Sequence, residues 1–186
     1  MLYIFDLDGT LRVTKSGRPC PNTPDDQELL PGVREKIIAL SDAGHRVTAA
    51  TNQGGVSFGF MSVEDSVKIN DATNSLLDWR IDRIEVSYYH SKGKFCDQHQ
   101  DRSKPKPNML IALAAWAKAR PRDILFVGDA FTDQRAARNA GVKFQWAHEF
   151  FGWLPGFVTE TDFGFSPVEW LKKWERQKNS RLRSGS

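Results

Sequence analysis

Five short runs rich in apolar residues, set apart by stretches of helical periodicity, constrain this chain of 186 residues more than any other feature. The runs are Leu2–Phe5, 46–50, 84–88, 124–127 and 142–145, and each has the length of a strand. Between them, residues 32–42, 63–79, 108–119 and 133–139 have helical patterns. The first shows Val33, Ile37 and Leu40 on one stripe, with Pro31 before it and Gly44 after it. The third carries Leu110, Leu113, Ala114 and Ala117 on another. Strand and helix alternating in this way predict an α/β fold, a parallel sheet covered by helices on both faces. In such folds the ligand site lies beyond the carboxyl ends of the strands, so the residues that follow each run decide the chemistry.

After the first run come Asp6, Asp8, Gly9 and Thr10; after the second, Thr51, Asn52, Gln53, Gly54 and Gly55. Lys104 and Lys106, each followed by proline, come some way after the third run, and Gly128, Asp129 and Asp133 follow the fourth. Parallel strands bring these ends into one row. Several carboxylates in one site repel one another unless a cation neutralises them. Oxygen ligands of this hardness suit Mg²⁺, which also binds substrate phosphate. An ionised Asp6 could attack phosphorus to form an aspartyl-phosphate. Asp8, two residues on and on the same face of an extended chain, could serve as general acid and then general base. Thr51 and the amides of Asn52 and Gln53 would hold phosphate oxygens, and Lys106 would neutralise phosphate charge and steady Asp6.

The segments DLDGTL (residues 6–11), TNQGG (51–55), KPKP (104–107) and GDAFTD (128–133) resemble, in order and spacing, the four motifs of the haloacid dehalogenase superfamily. The resemblance implies a Rossmann-like phosphatase fold with Asp6 as nucleophile and Asp8 as general acid/base. It also implies a catalytic lysine, which the motif position assigns to Lys106. Asp6, the Asp8 main-chain carbonyl and Asp129 would bind Mg²⁺, with Asp133 supporting the metal shell or the lysine. The connections after the first two strands are too short for a large lid, so a minimal cap or none is expected. TNQGG with KPKPNM is similar to a subgroup that includes heptose bisphosphate and histidinol phosphate phosphatases and the 3′-phosphatase module of polynucleotide kinase-phosphatases.

Two features favour a nucleic-acid 3′-phosphate end as the substrate. Thr14, Lys15, Ser16, Gly17 and Arg18, followed by Pro21, Pro24 and Asp26, resemble the segment after the nucleophile in polynucleotide 3′-phosphatases. Lys15 and Arg18 would contact backbone phosphates. The aromatic residues 144–153 resemble a Phe/Trp-rich segment of the same enzymes, although packing is the commoner use of such residues. The alternative is a small sugar bisphosphate or histidinol phosphate. Residues 88–109 have the length of the heptose bisphosphate phosphatase loop that holds a structural zinc. Only His90, Cys96 and His99 offer soft ligands there, so no tightly bound zinc is expected. A more remote reading keeps the fold as a non-catalytic cation- and phosphate-binding module.

No GxxxxGK[ST] segment is present among these residues, so no attached kinase of that kind is expected. A net charge of +3 permits an anionic substrate without requiring one. Two cysteines, no long apolar run and no signal-like start lead to the expectation of a cytoplasmic protein without membrane partners. One domain is expected over residues 1–178, ending in a helix at 167–177, with a basic tail at 179–186.

Overall fold

The computed structural model describes residues 1–95 and 101–153. Its centre is a five-stranded, wholly parallel sheet: β1 (Leu2–Phe5), β4 (Arg46–Asn52), β5 (Arg83–Ser87), β6 (Ile124–Gly128) and β7 (Lys143–Trp146), in the order β5-β4-β1-β6-β7. Between β1 and β4, β2 (Arg12–Val13) pairs antiparallel with β3 (Glu28–Leu29). The helices are α1 (Val33–Asp42), α2 (Val63–Leu76), α3 (Asn108–Ala117), α4 (Phe131–Ala140) and α5 (Ala147–Phe151). The chain has the α/β Rossmann-like fold that the alternating pattern predicts.

Both faces of the sheet are covered because successive residues of β1 point opposite ways. Leu2 and Ile4 join Met109, Leu110 and Leu113 of α3 and Ala136 and Ala137 of α4 in one buried cluster. Phe5 joins Val33 and Ile37 of α1 with Val47, Val127 and Trp153 on the other face. Aromatic residues near the end of the described chain close this second core. Phe150 meets Phe5 edge-on at 5.5 Å, and the Trp153 indole donates to Pro31 O at 2.9 Å. Trp146 packs edge-on against Phe131 and Phe144.

Several boundaries differ from the sequence reading. α2 stops at Leu76 rather than 79, because Asp78 and Trp79 turn into the left-handed region (φ 53° and 58°). α4 begins at Phe131, two residues earlier than the pattern at 133–139. The segment after β1, where the sequence pattern places no strand or helix before residue 32, holds the β2–β3 ladder, whose two-residue strands are too short to show a period. The helix expected at 167–177 and the tail at 179–186 lie outside the described residues.

Register sets up the site. Phe5 lies beside Ala49 of β4 and Val127 of β6, and the Asp6 amide continues the ladder to Val127 O at 3.0 Å. The next residues on the three central strands, Asp6, Ala50–Thr51 and Gly128–Asp129, therefore emerge side by side.

Candidate active site

Asp6, Asp129 and Asp133 each present a carboxylate oxygen within 4.8 Å of the others, and all three are buried. Asp6 and Asp129 leave adjacent strand ends, whereas Asp133 comes from the first turn of α4. Its Oδ2 accepts the Ala130 amide at 3.1 Å, which fixes the entry to that helix. Gly128 makes this approach possible: a Cβ there would lie 2.5 Å from the Asp133 side chain. Thr10, fully buried, donates its hydroxyl to Asp129 Oδ1 at 2.9 Å.

Burial of these carboxylates together has a definite electrostatic result. Desolvation raises the Asp6 pKa from 3.8 to about 7; Asp133 and Asp8 push the same way and Lys104 opposes them. Burial, then Asp6 and Asp133, push Asp129 well up, against the Thr10 hydrogen bond and Lys104. A divalent cation would hold these groups ionised. A buried, all-oxygen, acidic donor set therefore fits Mg²⁺.

The lysine in the cluster is Lys104, not Lys106. Its Nζ lies 2.6 Å from Asp6 Oδ1, 2.7 Å from Asp133 Oδ1 and 3.0 Å from Ala50 O. Burial works against the charged ammonium, but Asp133 and Asp6 more than offset it, and the Lys104 pKa is raised. Lys106 instead pairs with Asp101 Oδ2 at 2.7 Å, with half of its side chain in solvent. The cause is a clamp. Asn52, at the end of β4, accepts the Lys104 amide at 2.9 Å and donates to Lys104 O at 3.2 Å, drawing that residue under the strand end. The Asn52 side chain is thus committed to the lysine loop rather than to phosphate.

Thr51 is buried, and its Oγ accepts from Gln53 Nε2 at 3.0 Å, leaving the hydroxyl proton free. The same Gln53 nitrogen lies 2.9 Å from Asp8 Oδ2, and the Gln53 amide is anchored to Ser87 O. Asp8 also receives Arg12 Nε at 2.8 Å. Sequence reasoning missed Arg12 and Thr10, although Thr10 stands within the DLDGT segment. Lys15 and Arg18 lie on an exposed loop organised by Ser16 and Asp26 (2.6 Å between Oγ and Oδ2), and neither makes an ion pair among the described residues. His90 packs against Phe58 at 4.7 Å between ring centres, whereas Cys96 and His99 fall outside the described residues.

Beside the site, the turn that leaves Gln53 carries exposed aromatic residues. Phe58 and Phe60 stack at 5.5 Å, and the Phe95 ring lies over Gly59. Phe60 is 70% and Phe95 72% exposed.

A profile of the family described as Polynucleotide kinase 3 phosphatase matches residues 1–151. Among curated relatives, the D-glycero-beta-D-manno-heptose-1,7-bisphosphate 7-phosphatase of Pasteurella multocida is 29% identical over 144 residues, covering 75% of this chain and 76% of its own. The enzyme of the same description from Pseudomonas aeruginosa is 30% identical, covering 74% and 75%. Among solved structures, the D,D-heptose 1,7-bisphosphate phosphatase of B. bronchiseptica, complexed with magnesium and phosphate, superposes with a TM-score of 0.66 at 26% identity. It covers 77% of this chain and 78% of its own. A HAD-like phosphatase from Mesorhizobium loti gives the same score and identity, covering 76% and 68%. The chain belongs to the family described as Polynucleotide kinase 3 phosphatase, and with it to the capless phosphatases of the haloacid dehalogenase superfamily, as a phosphomonoesterase of that type.

Proposed function

We propose that the chain is a Mg²⁺-dependent phosphatase of a small sugar bisphosphate, acting through an aspartyl-phosphate on Asp6. One observation carries the chemistry. Asp6 is buried with one carboxylate oxygen held by Lys104, beside two further buried carboxylates. The description of the relatives as heptose bisphosphate phosphatases supports this substrate class ahead of the nucleic-acid end favoured by the sequence.

Lys104 holds Asp6 Oδ1, so Oδ2 is the oxygen that attacks phosphorus. The Thr51 hydroxyl and the amides after it hold the phosphoryl oxygens. As the new O–P bond forms, the bond from phosphorus to the leaving oxygen breaks, and that oxygen takes a proton from Asp8. Asp8 then removes a proton from water, the water oxygen bonds to phosphorus, and the Asp6 carboxylate departs. Asp6, Asp129 and the Asp8 carbonyl would hold Mg²⁺, with Asp133 behind them. Bound there, the ion would keep the carboxylates ionised and offset charge on the phosphoryl group.

Asp6→Asn should abolish hydrolysis of an aryl phosphate while leaving the fold intact by circular dichroism; unchanged turnover would remove Asp6 as nucleophile. For the substrate, kcat/KM is compared across heptose 1,7-bisphosphate, other sugar phosphates, histidinol phosphate and a 3′-phosphorylated oligonucleotide. The first should lead by ~100-fold, equivalent to about 2.7 kcal/mol of transition-state discrimination.

The second reading, a 3′-phosphorylated nucleic-acid end, keeps one local observation in its favour. Phe58, Phe60 and Phe95 form an exposed aromatic face on the turns beside the site, with Lys92 and Lys94 next to it. Such a surface suits base stacking. An oligonucleotide preference in the same assay would select this reading.

A further inference from the structure

Arg12 is fully buried. Its Nε donates to Asp8 Oδ1 at 2.8 Å, and Nη2 lies 3.5 Å from Oδ2. Behind it, Nη1 donates to Thr73 Oγ1 at 2.5 Å and to Gln27 Oε1 at 3.3 Å, and lies 3.5 Å from Ile69 O. Gln27 is fixed in turn: it accepts the Thr73 hydroxyl at 2.6 Å and donates to Ile69 O at 2.9 Å and Pro24 O at 2.8 Å. On its other side Asp8 receives Gln53 Nε2, the nitrogen that also contacts Thr51 Oγ. Arg12 of β2 and Gln53, just past β4, thus hold one carboxylate, and residues from the loop before β3 and from α2 hold Arg12 in turn.

An arginine sealed from water is costly to bury, and an apolar side chain would hold β2 to α2 more cheaply. This guanidinium does something an apolar residue cannot: two of its N–H groups define the plane of the Asp8 carboxylate. We propose that Arg12 is a positioning residue for hydrolysis, holding Asp8 with Gln53 so that its carboxyl meets the leaving oxygen. This rests on the reading of Asp8 as general acid and base.

A residue that acts through a general acid leaves a signature that a structural anchor does not. An alkyl alcohol must be protonated as it leaves, whereas a nitrophenolate departs without a proton. Through its first irreversible step, kcat/KM reports phosphoryl transfer to Asp6 alone, so the two leaving groups can be compared directly. In Arg12→Gln, kcat/KM for an alkyl phosphate should fall by ~10²-fold and for 4-nitrophenyl phosphate by less than ~5-fold, within the usual range for a mispositioned general acid. Arg12→Lys should recover part of the alkyl activity. In an Asp8→Asn background, Arg12→Gln should add less than ~3-fold, because both changes remove the same function. Thr73→Val loosens the arginine without removing it, and should give a smaller loss with the same leaving-group bias even where Arg12→Gln does not fold. Equal losses on both substrates, or additive losses in the double variant, would make Arg12 a fold anchor only. Should Asp8→Asn itself show no leaving-group bias, it is the Asp8 assignment that fails.

Discussion

At Lys104 the ammonium is enclosed by two carboxylates and a carbonyl, so its loss would leave Asp6 and Asp133 buried, close together and unpaired. Lys104→Met should lower kcat by ~10²–10³-fold, the usual effect of removing a preorganised charge from a transition state. Lys106→Met, which removes only a half-exposed pair with Asp101, should stay within ~3-fold of the parent. Steady-state kinetics on both proteins, with melts to confirm folding, would decide; a larger effect at Lys106 would restore the assignment made from motif position. Thr10 offers a second test, since its hydroxyl donates to Asp129, a carboxylate of the proposed metal site. Thr10→Val should raise the Mg²⁺ concentration for half-maximal activity by ~10–100-fold. At this scale Asp6, Asp8, Thr51 and Asp129 were legible because each ends or follows an apolar strand, where a charge or hydroxyl has no folding purpose. Thr10, Arg12, Gln27 and Thr73 were not. Arg12 and Thr73 lie 61 positions apart and Thr10 and Asp129 lie 119 apart, so only the tertiary fold brings them together. The two lysines of KPKP are alike in sequence, and the Asn52 clamp that separates them is a three-dimensional fact.

Among the elements, the five central strands were readable because buried parallel strands are short apolar runs. The start of α4 was not. Asp133 looked like a helix-opening residue, whereas it sits in the first turn and caps the Ala130 amide from there. That geometry makes the β6–α4 junction sensitive. A methyl at position 128 would meet the Asp133 side chain at 2.5 Å. Gly128→Ala should therefore displace Asp133 and Lys104 together, lowering both kcat and stability, the latter by roughly 1–3 kcal/mol as for an overpacked core. Denaturant melts and kinetics on the same preparation would check it, and a wild-type kcat would show that α4 shifts freely. The aromatic turns between β4 and α2 and after β5 call for a different variant. Phe60 and Phe95 lack the burial of core residues, so Phe60→Ala with Phe95→Ala should leave sugar bisphosphate turnover within ~3-fold. Any oligonucleotide activity should fall ~10-fold or more, as expected for lost base stacking. A comparable loss on the sugar substrate would mean that these rings shape the small-molecule site.

Across the whole molecule, the acidic cluster joins β1, β6 and α4, with a lysine carried in from beyond β5, so its charge state should register in global stability. Unfolded, Asp6 titrates near 3.8; folded and without a cation it titrates near 7. A raised acid binds its proton more tightly in the native state, so its favourable contribution is present below about pH 4. That contribution is lost as pH rises to about 7, with Asp129 acting in the same direction. Lys104, also raised, keeps its contribution throughout this window and loses it only in strong alkali. Mg²⁺ bound at this cluster would take the deprotonated carboxylates, and so would compete with protons below pH 7 and not above it. The metal-free protein should therefore lose stability between about pH 4 and 7, and added Mg²⁺ should restore most at the upper end. At ~100 times its dissociation constant the ion would contribute about 2.7 kcal/mol, or roughly 5–10 °C in Tm for a chain of this size. Melts with EDTA and with excess MgCl₂ at pH 5.5 and pH 8 measure the difference directly. A Mg²⁺ shift as large at pH 5.5 as at pH 8 would mean that the ion does not displace protons from Asp6 and Asp129, and that the cluster is not where it binds.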